Sequence, residues 1–147
     1  MARVNDCNIP EELYYNIDKH VWARIEPDGI VTMGITDVAQ HMAGRILYAN
    51  IKRPGKTIEQ GRSAGTIESG KFVGPVPAPV SGEIVAVNEA LGSDPTLINQ
   101  DAYGRGWIVR MRPTNLETEK TQLLTGTAAV QAYQAKMQQE NLGCTKK

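Results

Sequence analysis

Three prolines at alternate positions, Pro75, Pro77 and Pro79, constrain this chain more than any other feature. Successive residues of an extended strand face opposite ways. The three missing N–H groups therefore all fall on one flank of Val73-Gly74-Pro75-Val76-Pro77-Ala78-Pro79. Gly74, Val76 and Ala78 keep donors for the other flank. Such a segment pairs on one side only. It belongs at a sheet edge, stiff and unable to recruit another chain along its bare side.

The edge strand is the return leg of a hairpin. Ser63 to Glu68 reads as the outgoing strand and delivers the chain to Gly70-Lys71. A Gly-X pair between strands suits a two-residue type II′ turn, with glycine at φ > 0 in the first central position. Gly70 takes that position and Lys71 the second, at the tip. A tip lysine is exposed and easy for another enzyme to reach. Most lysines at turns are solvated and nothing more, so the surrounding pattern has to carry any functional reading.

That pattern is many short strands. Ile9-Pro10-Glu11-Glu12-Leu13 reads as a short helical turn. Tyr14 to Arg24 reads as strands around a turn at Asp18-Lys19, and Val21 to Met33 as a hairpin about Pro27-Asp28-Gly29. Thr36 caps a short helix through Met42, which Gly44 ends. Arg45 to Ile51 is a strand, and Pro54-Gly55-Lys56 a turn. Ser81-Gly82 leads into the alternating strand Glu83 to Val87, with Ile84 and Ala86 on one face and Val85 and Val87 on the other. Asp94-Pro95 starts another short helix. Asp101 to Trp107 is a glycine-punctuated turn into Ile108 to Met111, closed by Pro113. Thr127 caps a C-terminal helix with Val130, Tyr133 and Met137 at i, i+3, i+7 spacing, ended by Gly143. The stripe reads as packing against the β body. The sum is a mainly β fold, a small barrel or sandwich with helical additions. It reads as a single domain over residues 1–147, with a β core at about 14–113 and a helical extension at about 116–143.

The 147 residues suffice for one domain with a proper core. The 16 basic and 16 acidic residues balance, which leaves no electrostatic case for nucleic acid. No apolar run is long enough for a bilayer, and the N-terminus lacks the apolar segment of a secretory signal. The chain reads as cytoplasmic. Cys7 and Cys144 lie near opposite ends. A cytoplasmic compartment favours two reduced thiols on flexible tails. The other reading is a redox-active or cross-linkable pair, and spacing alone does not bring the sulfurs together.

No catalytic set emerges. His20 and His41 have no cysteine or acid at metal-ligand spacing. Gly104-Arg105-Gly106 lacks the third glycine and the following helix of a dinucleotide loop. Ser81 is not in a Gly-x-Ser-x-Gly elbow. No carboxylate pair stands out. The chain reads as a carrier or binding module that acts with enzymes and is not one itself.

Taken together the motifs resemble the H-protein family, lipoyl carriers related to the glycine cleavage H protein. The resemblance runs from about Pro10 to Pro113. It includes His20-Val21-Trp22, Gly34-Ile35-Thr36, Pro54-Gly55, Glu68-Ser69-Gly70-Lys71, Pro79-Val80-Ser81-Gly82-Glu83, Val87-Asn88 and Asp101 to Trp107. It implies a hybrid barrel-sandwich fold and a lipoyl group in amide linkage to Lys71, attached by a lipoate ligase or lipoyl-transfer enzyme. Glu68, Ser69, Gly70 and Phe72 form the motif around the arm. Tethering would keep a bound intermediate at high effective concentration for its partners.

The chain departs from the family's usual Glu-Ser-Val-Lys-Ala. Gly70 and Phe72 flank Lys71, and Ser69 to Gly82 contains no acid. Cys7 before Pro10-Glu11-Glu12-Leu13-Tyr14-Tyr15, the stretch Glu68 to Pro75, and Cys144 are similar to the lipoate-binding proteins of bacterial sulfur oxidation. That likeness implies an arm carrying sulfur intermediates for a cytoplasmic heterodisulfide-reductase-like complex. The other reading is a glycine cleavage H protein, whose arm holds an aminomethyl group for the glycine cleavage enzymes. An unmodified interaction module is a third class, which the intact Glu68-Ser69-x-Lys71 core argues against.

Overall fold

The computed structural model describes residues 2–144. It opens with a hairpin of β1 (Ala2–Val4) and β2 (Cys7–Ile9). Asn5 and Asp6 form its tip at φ 48° and 66°. Two left-handed residues are what a type I′ turn needs, and Asn and Asp tolerate that region. This hairpin replaces the flexible tail expected around Cys7. Pro10 to Leu13 is one turn, closed by Leu13 N–H donating to Pro10 O at 3.5 Å, and not a helix.

β3 (Tyr14–Asn16), β4 (Val21–Ile25) and β5 (Val31–Ile35) form an antiparallel meander, with Tyr15 opposite Trp22 and Ala23 opposite Met33. Both faces are buried, and the period of two sorts the side chains. Val21, Ala23, Val31 and Met33 enter the main core. Tyr15 and Trp22 enter a second core on the other side. Gly34 is glycine because a Cβ there would stand 3.0 Å from the Trp22 ring. The Trp22 indole N–H is shared between Ile35 O and Ala102 O, 3.0 Å from each.

Helix α1 (Asp37–Ala43) is capped as its sequence indicates. Thr36 Oγ1 accepts from Ala39 N–H (3.2 Å), and Gly44 ends the helix at φ 80°. Next come β6 (Ile46–Ile51), the two-residue β7 (Thr57–Ile58), β8 (Ser63–Ser69), β9 (Val73–Pro77) and β10 (Gly82–Val87). β6, β8 and β9 make a three-stranded sheet with β9 at its edge. The inward groups of the β9 segment are those of the even-numbered residues. Phe72 O accepts from Ser69 N–H (2.7 Å) and Ala78 N–H donates to Arg62 O (2.7 Å). The prolines take the odd positions, as the one-sided strand requires.

The strand β10 corrects a detail of the sequence reading. Its register skips Val85, which bulges between Ile84 (opposite Met111) and Ala86 (opposite Arg110). The bulge breaks the alternation. Ile84 and Val87, not Ile84 and Ala86, pack on the main core. The helices α2 (Ala90–Ser93) and α3 (Leu97–Gln100) follow. Asp94 Oδ1 accepts from Thr96 N–H (3.2 Å) in the turn ahead of α3. The helix expected to start at Asp94-Pro95 is present but begins two residues later, with Thr96 as its N-cap, and α2 has no counterpart in the sequence reading. Strand β11 (Val109–Pro113), helix α4 (Leu116–Glu119), a 3₁₀ turn at Lys120–Gln122, β12 (Leu124–Thr125) and α5 (Gly126–Glu140) complete the described residues.

The larger sheet runs β12-β3-β4-β5-β11-β10-β7, antiparallel throughout. The fold is thus mainly β, a barrel-sandwich of two sheets with a C-terminal helix. Helix α5 packs through Ala129, Tyr133 and Met137 onto the second core, beside Leu13, Tyr15 and Val38. Burying a side chain of the size of Met137 stabilises by about 2–3 kcal/mol. Val130 is only half-buried. The helix begins after Thr125, not Thr127, because Thr125 is held by its Oγ1 donating to Leu13 O (2.7 Å). It ends at Asn141 (φ 56°), not Gly143. Glu119 is buried at the start of this tail. Its carboxylate accepts from Ser81 N–H (2.7 Å) and Ser81 Oγ (2.6 Å).

Candidate functional site

Lys71 lies exposed at the β8–β9 hairpin tip, and the turn is not the expected type II′. Gly70 and Lys71 both have negative φ. The bend is instead made by the Ser69 side chain, whose Oγ accepts from Lys71 N–H (3.3 Å). This is a side-chain turn of the kind serine forms with a backbone N–H two residues on. A Cβ at Gly70 would meet no atom within 4 Å. Glycine is therefore required there neither by φ nor by space.

Ser69 is the anchor of the tip. It is buried, and its Oγ donates to Ala43 O (2.5 Å), a free carbonyl of the last turn of α1. The lysine stem leans back over the helix end. A Cβ at Gly44 would lie 3.1 Å from Lys71 Cε. One serine and one glycine thus fix the tip to α1. Glu68 is exposed on β8, opposite Tyr48 and Val73. In β6 the register skips Leu47, and this bulge turns Leu47 outward beside Lys71 and Arg45.

Phe72 folds over Gly74, where any Cβ would collide with its ring. The ring, 42% exposed, borders a hollow of about 200 Å³. Ile35, Ala39, Met42, Ala43, Ile67, Pro75 and Pro77 line the rest of it, with Lys19 and His20 at its polar side. Among the described residues no carboxylate lines it. Met42, Leu47, Tyr48 and Val73 are the other large apolar side chains exposed around the tip. Of these surroundings the sequence reading found only Glu68, Ser69, Gly70, Phe72 and the proline strand. Met42, Gly44, Leu47 and Tyr48 were missed. The signal available was the unbroken apolar run Ile46-Leu47-Tyr48, which a half-buried strand does not need unless it is bulged.

His20 belongs to the same wall. It sits at φ 59°, and its Nδ1 lies 2.8 Å from Tyr133 Oη. Tyr133 Oη lies 2.7 Å from Thr36 Oγ1, the α1 cap. Burial holds the imidazole below its ordinary range, and the Lys136 charge adds to this. Burial pushes the Tyr133 phenol well above its ordinary value. His20 is therefore neutral at pH 7 and joins α5 to the hollow. His41 is exposed on α1. Among the described residues no group of His, Cys, Asp and Glu could hold a metal ion. No helix there is long and apolar enough to cross a membrane.

Cys7 and Cys144 form a disulfide, which corrects the reading of two reduced thiols on loose tails. The β1–β2 hairpin carries one sulfur and the segment after α5 the other. The bond lies at the N-terminal end of α1, where Cys144 Sγ is 3.7 Å from Asp37 O. Lys71 lies at the other end of the same helix. Seven residues of helix span about 10 Å, so the structure does not place the thiols beside the lysine.

The family model for the glycine cleavage H-protein matches residues 13–137. Glycine cleavage system H protein 2 of Aquifex aeolicus is 46% identical over 138 residues, covering 94% of this chain and 86% of that protein. A probable glycine cleavage system H protein 2 of Sulfurisphaera tokodaii is 47% identical over 146 residues, covering 98% of each chain. The crystal structure of a glycine cleavage system H protein from Mycobacterium marinum superposes with a TM-score of 0.73 at 36% identity, covering 84% of this chain and 98% of the other.

Proposed function

Because the chain belongs to the glycine cleavage H-protein family, we propose that it is a lipoyl carrier, with the lipoyl group in amide linkage to Lys71. One observation carries this reading: Lys71 stands exposed on a hairpin tip that Ser69 pins to α1, and the next residue, Phe72, borders an apolar hollow. The surroundings fit an arm built from a lysine stem and an alkyl chain. Met42, Ile67 and Phe72 offer apolar surface for the chain, and Gly44 leaves room for the stem. When bound, the group supplies a dithiolane that can be reduced, oxidised or loaded. The protein tethers it and presents it to partner enzymes, so the chain is a carrier and not a catalyst. We treat residues 1–147 as one carrier domain working in the cytoplasm, modified by a lipoate ligase or transfer enzyme.

The names of the relatives favour glycine cleavage, with an aminomethyl cargo, and this is the reading to test first. One observation favours sulfur carriage for a heterodisulfide-reductase-like complex. An aminomethyl group is a cation near neutral pH, and among the described residues the hollow that Phe72 borders offers it no carboxylate. A neutral or anionic sulfur adduct needs none.

Intact-mass analysis of protein from its own host tests the arm. We expect one lipoyl amide, absent from Lys71→Arg. Full modification of that variant would refute the assignment. Reconstitution then separates the cargoes, with the lipoylated protein as sole carrier for purified glycine cleavage enzymes. Glycine-dependent carbon dioxide release at the rate of an authentic H protein establishes the first reading. No release, together with a sulfur adduct in the host, establishes the second.

A further inference from the structure

The disulfide clasp and the lysine tip hold opposite ends of one helix. Cys144 N–H donates to Asn5 O (2.8 Å) and Asn5 Nδ2 donates to Leu142 O (3.2 Å), so the tail lies along the β1–β2 hairpin. That hairpin in turn holds Asp37. Asn8 N–H donates to Asp37 Oδ2 (2.8 Å). Tyr103 Oη donates to Asn8 O (2.6 Å) and accepts from Asp37 N–H (2.9 Å). At the far end, Ala43 O and Gly44 receive Ser69 and the Lys71 stem. A seven-residue helix is too short to stay formed by itself and depends on what grips its ends.

The two sulfurs are not equivalent. Cys7 is fully buried, whereas Cys144 is half-buried, so the Cys144 side is the more open to an incoming thiolate. We propose that Cys7–Cys144 is a thiol–disulfide exchange site for a dithiol reductant, and that its reduction loosens α1 and thereby the seat of Lys71. The reductant thiolate attacks Cys144 Sγ, forming a mixed disulfide and releasing Cys7 as a thiolate. The second reductant thiol then displaces Cys144, closing the reductant's own disulfide. Two electrons and two protons pass to the protein, and both cysteines end as thiols. Reduced, the tail keeps its two hydrogen bonds to Asn5, one from the backbone and one from the side chain, but loses its covalent tie. The hairpin that grips Asp37 is then free to open with the tail.

The proposal does not depend on lipoylation, so its failure is distinct from failure of the carrier reading. The test uses full-length unmodified protein, oxidised or treated with dithiothreitol under native conditions, with thiols counted by alkylation and mass. Cys144→Ser serves as a second reduced state. Hydrogen exchange is followed by peptide, and acylation of Lys71 by a soluble succinimidyl ester is compared with that of Lys56 on a distant turn. Reduction should release both thiols and speed exchange about tenfold in residues 2–9, 37–44 and 138–144. The Lys71 to Lys56 labelling ratio should change several-fold. A disulfide that resists dithiothreitol in the folded protein would overturn the proposal. So would reduction that leaves 37–44 and Lys71 unchanged, since the bond would then be a staple for the chain ends alone.

Discussion

Two glycine turns of this chain look alike in sequence and share an ordinary negative φ, but differ in the room around them. Gly70 sits at the Lys71 tip, with no neighbour within 4 Å of a would-be Cβ and an ordinary negative φ. Gly104 and Gly106 sit in the turn Asp101 to Trp107, where there is no room. A Cβ on Gly106 would stand 2.5 Å from Leu97 O and 2.8 Å from Asp101 O, and one on Gly104 2.5 Å from Asp101 Oδ2. Asp101 O accepts from both glycine N–H groups, its carboxylate accepts from Arg105 N–H, and Asn88 Nδ2 donates to the carbonyls of Arg105 and Trp107. One turn is fixed by close approach of backbone to backbone. The other is left open and tied by a single serine. Under the proposed carrier function, a turn that a modifying enzyme has to enter gains from the second arrangement.

The comparison breaks most readily at Gly106. Gly106→Ala forces backbone apart and should cost about 3 kcal/mol, lowering Tm by roughly 10 °C. Gly70→Ala should stay within about 0.5 kcal/mol, because neither strain nor collision opposes it. Thermal melts of the two variants decide the matter. Equal losses would mean that the tip is as constrained as the Asp101 turn.

Ser69→Ala sharpens the same contrast from the open side. It leaves Ala43 O without its donor and Lys71 N–H without its acceptor. The expected loss is about 1 kcal/mol, or roughly 3 °C in Tm. Exchange of the amides at 70–72 should rise while those at 101–107 stay slow. An unaltered melt with unaltered exchange would show that the tip is held by something other than Ser69.

What was legible in the sequence follows the same division. Local chemistry could be read where it acts locally. Thr36 and Gly44 bracket α1, Pro27-Asp28-Gly29 turns β4 into β5, and the alternate prolines place β9 at an edge. Errors came where a residue's partner is remote. Glycine's freedom points to a type II′ turn at Gly70, but the geometry there is set by Ser69 reaching Ala43, 26 residues away. Cys7 and Cys144 meet because a hairpin and a helix bring them together across 137 residues. The Val85 bulge and the pairing of Glu119 with Ser81 leave no periodic trace either. For the site, Lys71 and its flanking residues were visible as a motif, whereas the wall supplied by α1 and β6 exists only once the sheets are closed.

A third turn, Ile17 to His20, lies between these extremes and makes the smallest prediction. His20 borders the open hollow like the tip, yet it is tied inward to Tyr133 like the glycine turn. Burial and then the Lys136 charge lower its pKa, and the weaker pull of Glu140 and Asp18 in the other direction does not offset them. A folded-state value below the unfolded one means that the unfolded chain takes up the proton first. Stability from this residue is therefore complete above the ordinary imidazole range, and it is lost as pH falls through about 6.5 and below. His20→Asn removes the titration, and asparagine still accepts the left-handed backbone at this position. Melting temperatures between about pH 7.5 and 5.5, above the carboxylate range, should fall more steeply in the wild type than in the variant. The variant itself should be slightly less stable at the upper end, having lost the bond to Tyr133. Parallel slopes would mean that His20 takes up its proton without disturbing the fold, and that this turn belongs with the open tip.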